Sequence, residues 1–242
     1  MNYYVETHKG NVRQNNEDSY FIPQKGERGF FIIVADGMGG HSAGEVASRI
    51  VVDTFRDAIG GMNPEDVTEE VLNAAMQKAN SQVLADAEGN PDRHGMGSTA
   101  TAAIFCGSAA LIAHVGDSRA YIFHEGQLRQ ITRDHSYVQM LLDSGYINEQ
   151  QAAGHPHKNI ITRAVGIDPE ITTDIYPCTL EAGDCLLLCS DGLNTMVNDE
   201  QIASVLKDGY EHAAQRLVAA ALAAGGYDNV TVALAVKDGD RL

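Results

Sequence analysis

The 242-residue sequence predicts an α+β fold in which two antiparallel β-sheets pack face to face and helices cover their outer sides. Three observations point there. The predicted strands do not alternate strictly with helices, which argues against a doubly wound parallel sheet. Short turn signals, Gly107-Ser108 and Glu125-Gly126, join neighbouring strands as antiparallel hairpins require. The runs at 29–35 (GFFIIVA) and 185–189 (CLLLC) are apolar throughout, so both of their faces must be covered.

Residues 29–35 are therefore a buried strand. Ser42 and Glu45 form a predicted capping box, with Ser42 as N-cap and Glu45 at N3. The helix they open places Val46, Ala47, Ile50, Val51 and Phe55 on one face and stops at Gly60-Gly61. A second helix, at about 65–88, carries Val67, Val71, Leu72, Ala75, Ala79 and Val83 and ends at Gly89-Asn90-Pro91. Strands follow at about 98–106, 109–115 and 119–124. Residues 134–165 are partly polar and predict a short helix plus a long excursion over the surface. After the strand at 185–189, Asn198 with Gln201 caps a helix through Leu206, a further helix spans 211–224, and residues 230–236 (VTVALAV) form the last strand.

The composition allows one domain over residues 1–242 with a full core, since 44% of residues are hydrophobic and 21% charged. With 17 Lys and Arg against 33 Asp and Glu, the net charge of −16 gives the chain no electrostatic reason to track a phosphate backbone, so nucleic acid is not an expected partner. No apolar stretch nears the ~18–20 residues that span a bilayer. The opening Met1-Asn2-Tyr3-Tyr4 leads into polar sequence rather than a secretory signal. The four cysteines, Cys106, Cys178, Cys185 and Cys189, include no C-x-x-C pair, which disfavours a zinc ribbon or a thioredoxin-like site. The expectation is a cytoplasmic, monomeric protein with reduced thiols and no membrane partner.

Single acids recur at the ends of the apolar runs. Asp36 follows GFFIIVA and precedes Gly37, Asp117 follows the run 109–116, and Asp191 follows CLLLC-Ser190 and precedes Gly192. Asp228 stands just before the final strand, and Asp18 just before Tyr20-Phe21-Ile22. In an antiparallel sheet the C-terminal end of one strand lies beside the N-terminal end of its neighbour, so all five have access to one rim. Any one of them has an ordinary explanation as a turn former, Asp-Gly being a common turn dipeptide. The repetition weakens that explanation. Carboxylates crowded at one rim repel, and no lysine lies close in sequence to Asp36, Asp191 or Asp228. Hard divalent cations resolve the repulsion, since Mg²⁺ and Mn²⁺ take oxygen ligands in octahedral geometry and keep several waters. Gly37, without a Cβ, would let its backbone carbonyl approach such an ion.

Other phosphoryl chemistries lack their residues. A cysteine nucleophile needs an Arg six positions on, where this chain has Ile112, Asp184, Asp191 and Thr195. Arg93-His94-Gly95 matches a short histidine-nucleophile signature but follows the loop breaker Asn90-Pro91 rather than a strand, and is read as chance. There is no G-x-x-x-x-G-K-[ST] loop, and His155-Pro156-His157 reads as surface histidines rather than a zinc site.

Eight segments in order carry a family resemblance: Val12-Arg13-Gln14-Asn15-Asn16-Glu17-Asp18-Ser19; Ala35-Asp36-Gly37-Met38-Gly39-Gly40-His41 continuing to Gly44-Glu45; Gly97-Ser98-Thr99-Ala100; Val115-Gly116-Asp117-Ser118-Arg119; Arg133-Asp134-His135-Ser136; Ile161-Thr162-Arg163-Ala164-Val165-Gly166; Ser190-Asp191-Gly192-Leu193; and Gly225-Gly226-Tyr227-Asp228-Asn229-Val230-Thr231. Through almost its whole length the chain resembles the metal-dependent (PPM, type-2C) protein phosphatases in their compact bacterial form. The resemblance implies a four-layer α–β–β–α sandwich, a flap at about 134–165, and a centre of two Mn²⁺ or Mg²⁺ ions in a cleft at one sheet edge. Carried over residue by residue, Asp36 would bridge the two ions, Asp191 and Asp228 would complete the first ion's protein ligands, and the Gly37 carbonyl would serve the second. Asp117 with Asp191 would offer a weaker third site, and Glu17 and Asp18 would act through metal-bound waters. The implied activity is hydrolysis of phosphoserine and phosphothreonine in phosphorylated proteins, with a cognate kinase and its substrates as partners.

Two cations about 3.5–4 Å apart lower the pKa of a bridging water and clamp an in-line displacement, so no covalent phosphoenzyme is needed. Arg13 is the candidate phosphate clamp, because a guanidinium matches two phosphate oxygens bidentately; its plainer alternative is a surface ion pair with Glu17 or Asp18. His41 is the candidate general acid for the leaving seryl or threonyl oxygen. Two rival readings are a non-catalytic phosphoprotein-binding relative, which would normally have lost ligands this chain keeps, and a hydrolase of small phosphoesters. The −16 charge disfavours long-range attraction of anionic phosphopeptides, so attraction must be local. Raising salt is accordingly expected to leave substrate binding nearly unchanged; a steep fall of kcat/KM across a salt titration would contradict this.

Overall fold

A computed structural model describes residues 1–24, 29–40 and 43–238. His41 and Ser42, the candidate acid and the predicted N-cap, lie outside the described residues.

In chain order the elements are β1 (Asn2–His8), β2 (Asp18–Phe21), β3 (Phe31–Met38), α1 (Ala43–Ile59), α2 (Glu69–Gly89), β4 (Gly97–Ser98), β5 (Ala100–Cys106), β6 (Ala109–Val115), β7 (Arg119–His124), β8 (Gln127–Gln130), α3 (Tyr137–Asp143), α4 (Glu149–Ala153), β9 (Asp174–Thr179), β10 (Cys185–Cys189), α5 (Asp191–Asn194), α6 (Asp199–Lys207), α7 (Ala213–Ala223) and β11 (Val230–Val236). One sheet has the order β1-β11-β10-β7-β8 and the other β2-β3-β5-β6-β9, with β4 paired to β3. Every pairing is antiparallel.

Strand periodicity sorts the side chains into three apolar layers, because successive residues point to opposite faces. In β3, Phe31, Ile33 and Ala35 pack with α1 and α2 residues such as Val51, Phe55, Leu72 and Val83. Ile32 and Val34 pack between the sheets with Leu186, Leu188, Ala233 and Ala235. In β10 and β11, Cys185, Leu187, Val232 and Leu234 face the other way, against Leu193, Ile202, Leu206 and Leu217 of α5–α7. The fully apolar strings of β3 and β10 are thus explained by cover on both faces, and the predicted pair of flanked antiparallel sheets is the observed architecture.

Several boundaries differ from expectation. The second helix begins at Glu69 rather than near 65, because Pro64 opens a separate 3₁₀ turn (Pro64–Asp66) and Thr68, in an extended conformation, caps the helix by accepting from the Val71 N–H. Asp36 and Gly37 do not follow the third strand but lie inside it, since β3 continues to Met38. The segment 134–165 holds two short helices, not one. Strands β1, β8 and β9 escaped prediction. All three are sheet edges, where one side is unpaired, and β9 carries Pro177, tolerated there because an edge strand has amides outside the ladder. Asn198 and Gln201 do form the predicted capping box at the start of α6.

Leu188 is fully buried in the layer between the sheets. Leu188→Ala is expected to cost about 2–5 kcal/mol and Asn198→Ala about 1 kcal/mol, both measurable as shifts of the urea midpoint in chelated protein.

Candidate metal centre

Toward one end of the sandwich the layer between the sheets changes from apolar to polar without changing its strand parity. The side-chain face that carries Ile32 and Val34 reaches Asp36 two residues later. The same step leads from Leu188 to Ser190, from Ala233 back to Thr231, and from Ile112 to His114. Asp18 is the register partner of Asp36 across β2 and β3, so it shares that face. Its Oδ2 accepts from Ser190 Oγ at 2.8 Å and Thr231 Oγ1 at 2.7 Å, and so ties the two sheets together.

The strand carrying Asp36 is held by its neighbours. The Asp36 N–H donates to Thr99 Oγ1 at 2.9 Å, and its carbonyl accepts from the Thr99 N–H at 2.8 Å and from Ser98 Oγ at 3.0 Å. Thr99 Oγ1 is hydrogen bonded in turn to Ser118 Oγ at 2.7 Å, beside Asp117. A Cβ at Gly37 would collide with the Gly44 carbonyl and approach the Glu17 carbonyl, so glycine is required there for helix α1 to close on the strand. That packing is a reason for Gly37 beyond the approach of its carbonyl to an ion.

Asp36, Asp117, Asp191 and Asp228 line one cavity of about 220 Å³, together with Arg13 and Glu17. A larger cavity of about 590 Å³, bounded by α3, α4 and the α5–α6 segment, adjoins it and shares Asp117, Asp191 and Asn159. All the acids singled out in the sequence except Asp18 therefore meet in one small space, and Asp18 is the cross-strand neighbour of Asp36. Arg13 pairs through Nη2 with Asp228 Oδ2 at 2.8 Å, not with Glu17 or Asp18 as its plainer alternative held. The missing counter-charge is thus an arginine from far along the chain rather than a lysine nearby.

Burial and mutual repulsion both act on these carboxyls. Burial pushes Asp36 well above its usual range, and Asp18, Asp191, Asp117 and Asp228 add repulsion. Burial raises Asp117 to about 8, helped by Asp191 and Asp134. It raises Asp18 to about 7 against the opposing hydrogen bonds from Thr231 and Ser190, and Asp191 to about 6 with Asp228 adding to the rise. Glu17 is raised too, chiefly by burial. Two buried oxygens, Glu17 Oε1 and Asp18 Oδ1, accept no hydrogen bond among the described residues.

This donor set fits hard divalent cations. It is all oxygen, partly buried and short of positive charge, and its orphaned oxygens lack donors that coordinated waters would supply. Among the described residues no three His, Cys, Asp or Glu side chains form a ready-made cage for one ion. Octahedral Mg²⁺ or Mn²⁺ needs no such cage, since it is typically held by one or two carboxylates with water in the remaining positions.

Residues 7–225 match the family model described as Protein phosphatase 2C. The chain belongs to the type-2C protein phosphatase family. The serine/threonine phosphatase stp of Listeria welshimeri is 38% identical over 98% of this chain and 96% of its own. The crystal structure of the Mycobacterium tuberculosis serine/threonine phosphatase PstP/Ppp superposes with a TM-score of 0.92 at 39% identity, covering 98% of this chain and 99% of that one. The catalytic domain of PstP in complex with two manganese ions superposes with a TM-score of 0.86 at 38% identity, covering 96% of each chain.

Polar residues that hold this type-2C centre together went unassigned in the sequence: Ser190, Thr231, Thr99, Ser118 and Asn229. Ser190, Thr231 and Thr99 share one signal, a hydroxyl on a position whose parity belongs to an apolar layer.

The pKa shifts set a sign for stability. Asp18 and Asp117 hold protons in the folded chain at pH values where the unfolded chain has released them, so folding binds protons and stability falls as pH rises through about 7 to 8. The depressed His114 and His135 act in the opposite sense, an effect that fades as pH rises past their ordinary value of 6.5. Chelated protein is expected to melt at lower temperature at pH 8 than at pH 6.5, with Mn²⁺ abolishing the difference; a melting temperature that rises over that interval would contradict the assignment.

Proposed function

We propose that this chain is a metal-dependent protein serine/threonine phosphatase, a single catalytic domain over residues 1–242 with residues 134–165 as its flap. The observation that carries this is the meeting of Asp36, Asp117, Asp191 and Asp228, drawn from four distant segments, in one partly buried cavity with an arginine at its edge. Asp36, Asp191 and Asp228 are the proposed ligands with the Gly37 carbonyl, Asp117 serves a weaker third position, and Glu17 and Asp18 act through water. Glu17 Oε1 and Asp18 Oδ1, buried without donors among the described residues, suit that last role.

Two Mn²⁺ or Mg²⁺ ions, when bound, supply an activated water and neutralise charge on the phosphoryl oxygens. The chain's own residues do the rest. Arg13 uses one N–H on Asp228, and a guanidinium has five, so donors remain for two phosphate oxygens. Its charge is retained at every working pH, since the hydrogen bond to Asp228 raises its pKa further. The ion pair with Asp228 ties the clamp to a proposed ligand, which places the phosphoryl group beside the cations rather than merely near the cleft. His41 is the proposed proton donor to the leaving oxygen; its role rests on the family resemblance alone.

The substrates are proteins phosphorylated on serine or threonine, including a cognate kinase and that kinase's targets. The proposed setting is cytoplasmic and the proposed state monomeric. Among the described residues no helix is long and apolar enough to cross a membrane. A binding module without activity would have no use for the retained carboxylates and their uncompensated repulsion.

Hydrolysis of a phosphothreonine peptide is expected with Mn²⁺ and not with chelator. Asp36→Ala should fall to background, and Arg13→Ala should lose about 10²-fold in kcat/KM. Turnover that survives chelation would exclude the mechanism, and no turnover with any divalent metal would favour the binding module.

A further inference from the structure

We infer that Asn229 is a positioning residue that sets where Arg13 holds the phosphoryl group; this rests on the clamp role proposed above for Arg13. Asn229 is only 4% exposed. Its amide nitrogen and oxygen both bond to one segment. Nδ2 donates to the carbonyls of Lys9 at 2.8 Å and Asn15 at 2.9 Å, while Oδ1 accepts from the Glu17 N–H at 2.8 Å. An amide has two donor hydrogens and an acceptor oxygen, and no other side chain of this size offers both. The three bonds fold residues 9–17 around Asn229, and Arg13 lies at the middle of that segment.

Asn229 also reaches the rest of the centre through its backbone. Its N–H donates to Asp228 Oδ1 at 2.8 Å, leaving Oδ2 of the same carboxylate for Arg13. A Cβ on Gly192 would collide with the Asn229 carbonyl, so the turn that follows Asp191 is pressed against it. One buried residue thus contacts the segment bearing Arg13 and Glu17, the proposed ligand Asp228, and the neighbour of the proposed ligand Asp191.

The arm has a second anchor. The Asn11 N–H donates to the Gly226 carbonyl at 2.7 Å, and Asn11 Nδ2 donates to the carbonyls of Leu222 and Gly225 at 2.9 and 3.0 Å. Between Asn11 and Asn15 residues 12–14 are exposed, so little else fixes Arg13 besides its bond to Asp228. A clamp on an exposed arm depends on the arm's ends for its geometry, and an ångström of misplacement is costly to an in-line reaction.

The experiment is a double-mutant cycle on the full chain loaded with Mn²⁺, reading KM for a phosphothreonine peptide and Ki for inorganic phosphate. Arg13→Ala and Asn229→Ala are each expected to raise both constants by roughly tenfold. The double variant should be no worse than Arg13→Ala to within about twofold, because residues acting through one contact are not additive. Calorimetry of Mn²⁺ binding should find Asn229→Ala within about threefold of wild type, since the bond to Asp228 is made by the backbone. Additive effects in the double variant, or Mn²⁺ affinity lost as severely as in Asp228→Asn, would overturn the inference while leaving the clamp in place. If Arg13→Ala leaves both constants unmoved, the clamp itself fails, and this inference with it. Should Asn229→Ala not fold, exposed Asn11→Ala loosens the other anchor. It should raise KM in the wild-type background and not in Arg13→Ala, and an equal rise in both backgrounds, or none in either, would count against the inference.

Discussion

Carboxylates held out of water and close to one another are costly unless something positive joins them, and the structure is organised around that constraint. The Asp36 backbone is fixed beside the other acids, because its amide and carbonyl are bonded to Thr99 and Ser98. Asp18 is held too, because Ser190 and Thr231 grip one of its oxygens from the opposite sheet. The chain's rigidity thus keeps these carboxyls crowded, and protons on Asp18 and Asp117 relieve the repulsion until divalent cations replace them. Such preorganisation is what separates a metal centre from a patch of surface acids.

The rigidity comes from the layer between the sheets. For most of its length that layer is Ile, Leu, Val and Ala. Near the centre it becomes a network of hydroxyls and imidazoles that remains packed. Thr101 Oγ1 is hydrogen bonded to His114 Nδ1 at 2.9 Å, and His114 Nε2 to the Arg133 carbonyl at 3.1 Å. Burial pushes His114 down to about 3, so it stays neutral and adds no charge to a region already crowded with it. The neighbouring His135 accepts the Gly116 N–H on Nδ1 at 3.0 Å and lies 3.1 Å through Nε2 from Asp174, which Arg163 also holds. Thr101, His114 and His135 each have a local partner, as a low-dielectric interior requires.

The central strands and the long helices were legible because burial on two faces leaves only apolar residues. β10 and β11 were placed at their observed bounds from CLLLC and VTVALAV alone. The edge strands were not, because NYYVETH, QLRQ and DIYPCT bury one face at most and mix polar with apolar residues in a way that loops share. The acids were legible for a related reason: each interrupts or closes an apolar run, where a charge needs an explanation. Their supports were harder to see. Asn229 and Thr231 look like ordinary polar residues at the start of a strand, and their value lies in partners more than 200 positions away, as with Thr231 to Asp18 (213 apart) and Asn229 to Glu17 (212 apart). No local pattern encodes such pairings.

The first strand of the chain pairs with the last, Asn2 opposite Val236 through His8 opposite Val230. That seam lies next to the centre, with Arg13 a few residues after one strand and Asp228 just before the other. A ribosome emitting this polypeptide has therefore delivered the arginine and the first aspartates long before the partner they wait for. Contacts of such long sequence separation also form late in folding. Until Asp228 emerges, the growing chain lacks one of the four cavity aspartates and the partner that holds its Arg13.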